Sequence, residues 1–316
     1  MNLHHHDSSR LLAHIHQTGL MQLIPAGAGS PGPPTLEEPG LRLDENQVLT
    51  ATGHQTTVRT RHLSDLLGIG GDQPAPLADR EAALALLEEE GQDPVLYRAL
   101  RDIFPARTDT CTPVRADLVV FENGTLPGGE PYRSLGHWNP PGQVEAFEVL
   151  SGRIIMLIAG ISPSGVPFCY AKPLSAGDQL AVPLGVWHVS YALEGPAVVF
   201  NMYANPLRPL DLGLHGGHDG KYRGNAPVAV TLRQSPDGRL RATGPAGALA
   251  AWGDPLRPIP AGSQSTAGHE PDWLAPEESL TGLFLRASAD HWDQVIAGAT
   301  ADQAAPKEAA GVPGAW

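Results

Sequence analysis

The chain has 316 residues, of which 36 are Gly and 31 are Pro, and it carries a net charge of −13 with histidines neutral. An acidic chain whose lysines are Lys172, Lys221 and Lys307 alone is excluded as a broad binder of nucleic-acid backbones. No apolar run reaches the roughly 18 residues of a spanning helix, and the Gly and Pro excess excludes a helical bundle.

Residues 1–96 contain no aromatic side chain, whereas 13 of the 18 aromatics fall between Tyr97 and Tyr222. Large rings dominate core burial, so the main core is expected there and the preceding residues are expected to be peripheral. Ser9–Leu23 carries the spacing of a short amphipathic helix, on which His14 and His16 point apart and read as solvated. Pro25–Gly40 has the composition of a linker. No basic segment precedes an apolar one at the start, so a cytoplasmic protein is expected.

From Leu63 to Phe104 the pattern turns helical. Asp79–Glu90 is the clearest segment, with Asp79 as cap and Gly91 as stop. A second helix is expected over Pro94–Ile103. From Arg115 onward the text becomes short β-branched and aromatic strands bounded by Gly and Pro: Asp117–Phe121, Val144–Leu150, Arg153–Ala159, Val166–Ala171, Gln179–Val182 and Ala197–Tyr203. Pro227–Leu232 and Leu240–Thr243 read as a hairpin around Pro236, Asp237 and Gly238. Leu280–Ile296 reads as helical, and Ala301–Trp316 as disordered. Many short, closely spaced strands predict an all-β sandwich or barrel. The expected organisation is an N-terminal extension (1–62), a β domain with preceding helices (63–245) and a C-terminal extension (246–316). Cys111 and Cys169 are read as reduced thiols rather than a disulfide framework.

Two segments carry the chemistry. The first runs from Gly136 through His137, Asn139 and Glu145 to Gly152. The second runs from Gly177 to Pro183, Gly185 and His188. On a strand, His137 and Asn139 share one face, and Glu145 shares its face with Phe147 and Val149. Glu145 therefore points into an apolar interior, where an ionised carboxylate costs several kcal/mol unless paired or metal-bound. His188 follows a Pro-x-Gly turn that can aim it at the same interior. Two imidazoles and a carboxylate around a cavity suit Fe, Zn, Mn or Ni and leave positions open for substrate oxygens. A buried His–Glu hydrogen-bonded pair without metal fits the spacing equally well.

These segments resemble the paired motifs of cupins, G-x5-H-x-H-x3,4-E-x6-G and G-x5-P-x-G-x2-H-x3-N. The second motif matches through His188, with Ala192 in place of its last Asn. The first keeps His137, Glu145 and Gly152, and has Asn139 where its second His stands. The resemblance implies a mainly β cupin double-stranded β-helix, or jelly-roll, barrel. Asp117 to Leu126, Ser134 to His137, Glu145 to Gly152 and Gly217 to Tyr222 are further similar to the cupin-type glucose-6-phosphate isomerases.

That resemblance implies a metal-dependent aldose–ketose isomerase of sugar phosphates, commonly dimeric. His137, Glu145 and His188 would ligate the divalent metal, and Asn139 would be a weak fourth ligand. Glu145 and His218 would be the catalytic pair, and Ser134, Gly136 and Tyr222 would bind a phosphorylated sugar. Val119, Asn139 and Phe147 stand where the family has polar side chains or a His. The alternative readings are a non-catalytic or repurposed cupin binding a small polar ligand, and a cupin oxygenase or epimerase.

Overall fold

A computed structural model describes residues 42–43, 48–51, 54–69, 74–139, 143–161, 167–182, 186–204, 230–235, 237–244, 247, 255–256, 274 and 279–304. Two strands organise it: β9 (Val144–Ile161) and β12 (Trp187–Ala204), each 18 residues long. They run antiparallel along their whole length. Each is irregular midway, so that its two halves pair with different neighbours. On β9 the irregularity falls at Gly152, whose φ of +74° favours glycine, and a Cβ there would meet Glu194 O at 2.5 Å. On β12 it falls in the register shifts between Ala192 and Val199.

The second half of β9 pairs with β10 (Pro167–Ser175) and with the first half of β12, which also pairs with β8 (His137–Trp138). The first half of β9 pairs with β11 (Gln179–Val182) and with the second half of β12. That half of β12 continues the sheet to β5 (Val114–Phe121) and β4 (Val95–Arg101). The sheet then reaches β3 (His54–His62), β2 (Val48–Ala51) and β1 (Arg42–Leu43). The result is a mainly β, jelly-roll-like sheet consistent with the expected cupin barrel.

The segments expected as separate strands at Val144–Leu150 and Arg153–Ala159 are one continuous strand. Val95–Arg101 corrects a helical expectation. Its five central residues are all buried, and it is wedged between β3 and β5. Filling that sheet position outweighs the modest helix propensity of Leu, Arg and Ala. The sheet also reaches back to Arg42, well before the first aromatic residue.

The expected helices at Leu63 and Asp79 form as α1 (Leu63–Leu67) and α2 (Arg80–Glu88). Asp79 accepts a hydrogen bond from Ala82 N at 3.0 Å, and Gly91 adopts φ +65° just past the end. The expected helix at Leu280 breaks at Ala287 and Ser288 into α3 (Leu280–Arg286) and α4 (Ala289–Ala304). Its second part runs on into Ala301–Ala304, which was expected to be disordered. The hairpin forms between β13 (Thr231–Gln234) and β14 (Leu240–Thr243), shifted towards the turn. Short β6 (Thr125–Leu126) and β7 (Glu130–Pro131) pair beside it. Ser9–Leu23 and Pro25–Gly40 lie outside the described residues.

Three apolar clusters follow from this pairing. Inside the barrel lie Phe147, Val149, Ile154, Met156, Ile158 and Val199. The outer face of the β5–β12–β9 sheet packs Phe200, Met202 and Val120 against Leu283, Phe284, Trp292 and Ile296 of α3 and α4. The opposite outer face packs Leu157, Trp187 and Tyr191 against Leu232 of β13 and the preceding Val230. Both outer faces are thus covered by C-terminal segments. No helix among the described residues is long and apolar enough to cross a membrane.

Candidate metal centre

Three side chains meet inside the barrel. His137 is supplied by β8, Glu145 by the first half of β9, and His188 by the start of β12. His137 Nε2 lies 3.3 Å from Glu145 Oε2, and His188 Nε2 lies 3.7 Å from the same oxygen. The three candidate ligand atoms are within 4.8 Å of one another. Bonds of roughly 2.0–2.2 Å to a shared first-row ion would set ligand atoms about 3–3.5 Å apart, a range the two His–Glu distances match or approach. The side chains of Glu145 and His188 are 0% and 3% exposed. An ion here would offset the desolvation of the carboxylate. His137, Glu145 and His188 therefore form a candidate divalent-metal site.

Their neighbours fix them. Gln143 Nε2 donates to Glu145 Oε2 at 3.1 Å, and Asn201 Nδ2 donates to Glu145 Oε1 at 3.1 Å. Both carboxylate oxygens are thus held by amide donors, an arrangement that orients a ligand towards its metal. The two imidazoles meet edge to face with centroids 4.2 Å apart, and Phe147 packs on His188 at 5.4 Å.

A cavity of about 70 Å³ opens beside the triad. Ser134, Gly136, His137, His188, Ser190 and Asn201 line one part of it. Tyr97, Ala99, Val119, Phe121, Phe147 and Val199 supply the apolar part, and Arg101 stands among them. Gly136 adopts φ +78°, and a Cβ there would meet the Trp187 ring at 2.5 Å. This close approach explains the glycine immediately before His137. Ser134 Oγ accepts a hydrogen bond from Ser190 N at 3.1 Å.

The loop carrying Ser134 is anchored by Arg133, which is 1% exposed. Arg133 donates to Glu130 at 3.1 Å and to Pro76 O at 2.9 Å, and lies over the Tyr191 ring. Burial pushes the Glu130 carboxyl up, against the pull of Arg133. Burial also pushes the Tyr191 phenol up. On the outer face of β9, burial pushes the Glu148 carboxyl up, while backbone hydrogen bonds from Leu280 and Thr281 pull it down.

The structure thus brings His137, His188, Ser134 and Gly136 to one cavity, with Glu145 buried beside the two imidazoles. Asn139 is buried at 1%, but it does not line the cavity and its amide atoms have no hydrogen-bond partner. His218 and Tyr222 lie outside the described residues. Gln143, Asn201 and Arg101 were missed. Gln143 had a readable signal, since it precedes Glu145 by two positions and so shares its face on an extended chain. Asn201 was readable as a lone amide within Val198–Met202.

No family model matches this chain, and no curated protein matches it. Solved structures show local similarity. An oxalate oxidase is 22% identical, over 29% of this chain and 41% of its own, with a TM-score of 0.24. KdgF from Halomonas sp. is 21% identical, over 35% of this chain and 82% of its own, with a TM-score of 0.25. A Bacillus subtilis oxalate decarboxylase is 14% identical, over 40% of this chain and 28% of its own, with a TM-score of 0.28. The chain spans less than half the length of the oxalate oxidases it matches.

Proposed function

We propose that this chain is a metal-dependent cupin enzyme of the oxygenase class, acting on a small organic molecule held beside the ion. His137, His188 and Glu145 would hold a divalent first-row metal. Two His and one carboxylate with open positions are the donor set of non-haem iron sites. When bound, the ion supplies Lewis acidity and, as iron(II), redox chemistry with dioxygen. Gln143 and Asn201 keep the carboxylate aimed, and Phe121, Phe147 and Val199 keep one side of the cavity dry.

One observation carries this choice over isomerisation: both oxygens of Glu145 accept amide hydrogen bonds, from Gln143 and Asn201. A carboxylate pinned in this way suits a fixed ligand. A sugar-phosphate isomerase needs a mobile proton carrier, and Glu145 was the residue expected in that role. Ser134 and Gly136 on the cavity wall are what still favours the isomerase reading.

The test is to load the full chain anaerobically with iron(II), measure the bound metal, and follow oxygen uptake with a panel of small organic acids and ketones. Stoichiometric iron and substrate-dependent oxygen uptake are expected. Turnover of fructose 6-phosphate without oxygen uptake would instead establish the isomerase. Folded protein that takes up no iron, zinc, manganese or nickel would leave the binding-module reading.

A further inference from the structure

Ser190 follows His188 by two positions on β12, so the two side chains share the interior face. It is 6% exposed and lines the same cavity as the two imidazoles. Its backbone holds Ser134 at the same level of the wall: Ser190 O accepts from Ser134 N at 2.9 Å, and Ser190 N donates to Ser134 Oγ at 3.1 Å. The second contact uses one lone pair of Ser134 Oγ and leaves the hydroxyl proton without an acceptor among the described residues. The Ser190 hydroxyl has no hydrogen-bond partner among them either. Two open hydroxyls therefore stand side by side on the cavity wall, next to the imidazoles.

The fold has no use for the Ser190 hydroxyl. It caps no helix, its cross-strand neighbour on β9 is Met156, and burying a hydroxyl without a partner is unfavourable where an alanine methyl would not be. A ligand supplies the missing partner. With Ser134 offering a proton and Ser190 able to accept one, the pair matches a ligand hydroxyl, which accepts from the first and donates to the second. Neither serine is charged, and an anion moved from water onto neutral hydroxyls loses more hydration than they return. The guanidinium of Arg101, which also lines the cavity, is paired with Asp117. Size sets a further limit. The cavity of about 70 Å³ takes about five water-sized groups, at roughly 10–15 Å³ each. Val119, Phe147 and Val199 make one side of it apolar. A three-ligand metal site leaves a position for one more ligand oxygen, which a carbonyl suits.

We propose that the substrate is a small neutral α-hydroxy ketone, its hydroxyl seated between Ser134 and Ser190, its carbonyl oxygen turned to the metal, and its alkyl end against Val119 and Val199. In about five non-hydrogen atoms, with one end alkyl, the two oxygens fall on adjacent carbons. This inference rests on the metal-enzyme reading above and supplies its substrate class. Ser190 is then the residue that selects for the hydroxyl.

The experiment uses the full chain loaded with redox-inert zinc, with hydroxyacetone as the probe and acetone, pyruvate and inorganic phosphate as comparisons. Ligand-observed NMR titration should show hydroxyacetone binding at least about tenfold more tightly than acetone, which lacks the hydroxyl. Ser190→Ala should remove most of that preference, with acetone binding and zinc stoichiometry unchanged and the melting temperature equal or higher. A lower melting temperature with the preference intact would make the hydroxyl structural and overturn the proposal. Equal binding of hydroxyacetone and acetone to the zinc-loaded wild type, or binding of neither, overturns it without reference to any variant. Tighter binding of pyruvate or phosphate than of hydroxyacetone overturns it in favour of an anionic ligand. Absence of zinc from folded protein is a separate result that removes the metal reading itself, and this proposal with it.

Discussion

Glu145 and Glu148 sit three residues apart on the same strand, and both are buried. Glu145 faces the barrel interior and meets two imidazoles and two side-chain amides. Glu148 faces outward, where its carboxylate accepts a hydrogen bond from Leu280 N at 2.7 Å and so receives the first turn of α3. The residue type and the strand are the same. What differs is the partner offered by the opposing layer: ligand-type side chains inside, unsatisfied helix N–H groups outside. A buried carboxylate thus marks the need for a positive partner without saying whether that partner is a metal or a backbone.

Substitutions that separate the two faces should separate stability from metal binding. The largest effect is expected from Phe284→Ala. This ring is 1% exposed and stacks on Phe104 at 5.7 Å. Its loss should cost about 3–5 kcal/mol in chemical denaturation. Zinc affinity of the protein that remains folded should be unchanged; a parallel fall in affinity would mean that the two faces are coupled.

Glu145→Gln comes next. It removes a ligand, so zinc or iron affinity should fall by more than ~100-fold, beyond the range usual for outer-shell changes. The melting curve of the metal-free variant should stay close to wild type or rise. Unchanged metal content would contradict the assignment of the centre.

Asn201→Leu leaves the ligands intact and removes one support of Glu145. Metal affinity should drop about 10–100-fold by competition with a chelator. An effect as large as that of Glu145→Gln would mean that the amide is itself a ligand.

The smallest effect belongs to Glu148 and is a matter of pH. Burial raises its carboxyl above the ordinary glutamate value of 4.5. In the window between the unfolded and the raised folded value, the folded state holds the proton more tightly. Its contribution is therefore fully present below the unfolded value and is lost as pH rises through the folded one. Glu148→Gln should remove this loss, making the variant gain on wild type between acid and neutral pH in denaturation midpoints. A difference that does not vary with pH would contradict the shift.

Much of the barrel was legible because its strands are short β-branched runs between Gly and Pro. The triad was legible because two histidines and a glutamate interrupt those runs at a recognisable spacing. Arg101 was invisible for a specific reason. Its segment, Val95–Arg101, reads locally as a helix, and a helical Arg101 has no fixed relation to Asp117. Asn201 stood in a strand that was correctly expected, but its partner Glu145 is 56 residues away.

The Gly and Pro excess, the acidic charge and the alternation of ligand types with apolar residues were properties of the chain itself. They specified a β fold, its turns and three metal-ligand candidates, because turn chemistry and strand periodicity are local. Tertiary structure alone decided which face each buried carboxylate would serve. It also made a strand of Val95–Arg101 and put the C-terminal helices over the outer sheet. Each of these depends on which distant surface arrives to satisfy a buried group, and only the long-range pairing of β9 and β12 brings those surfaces together.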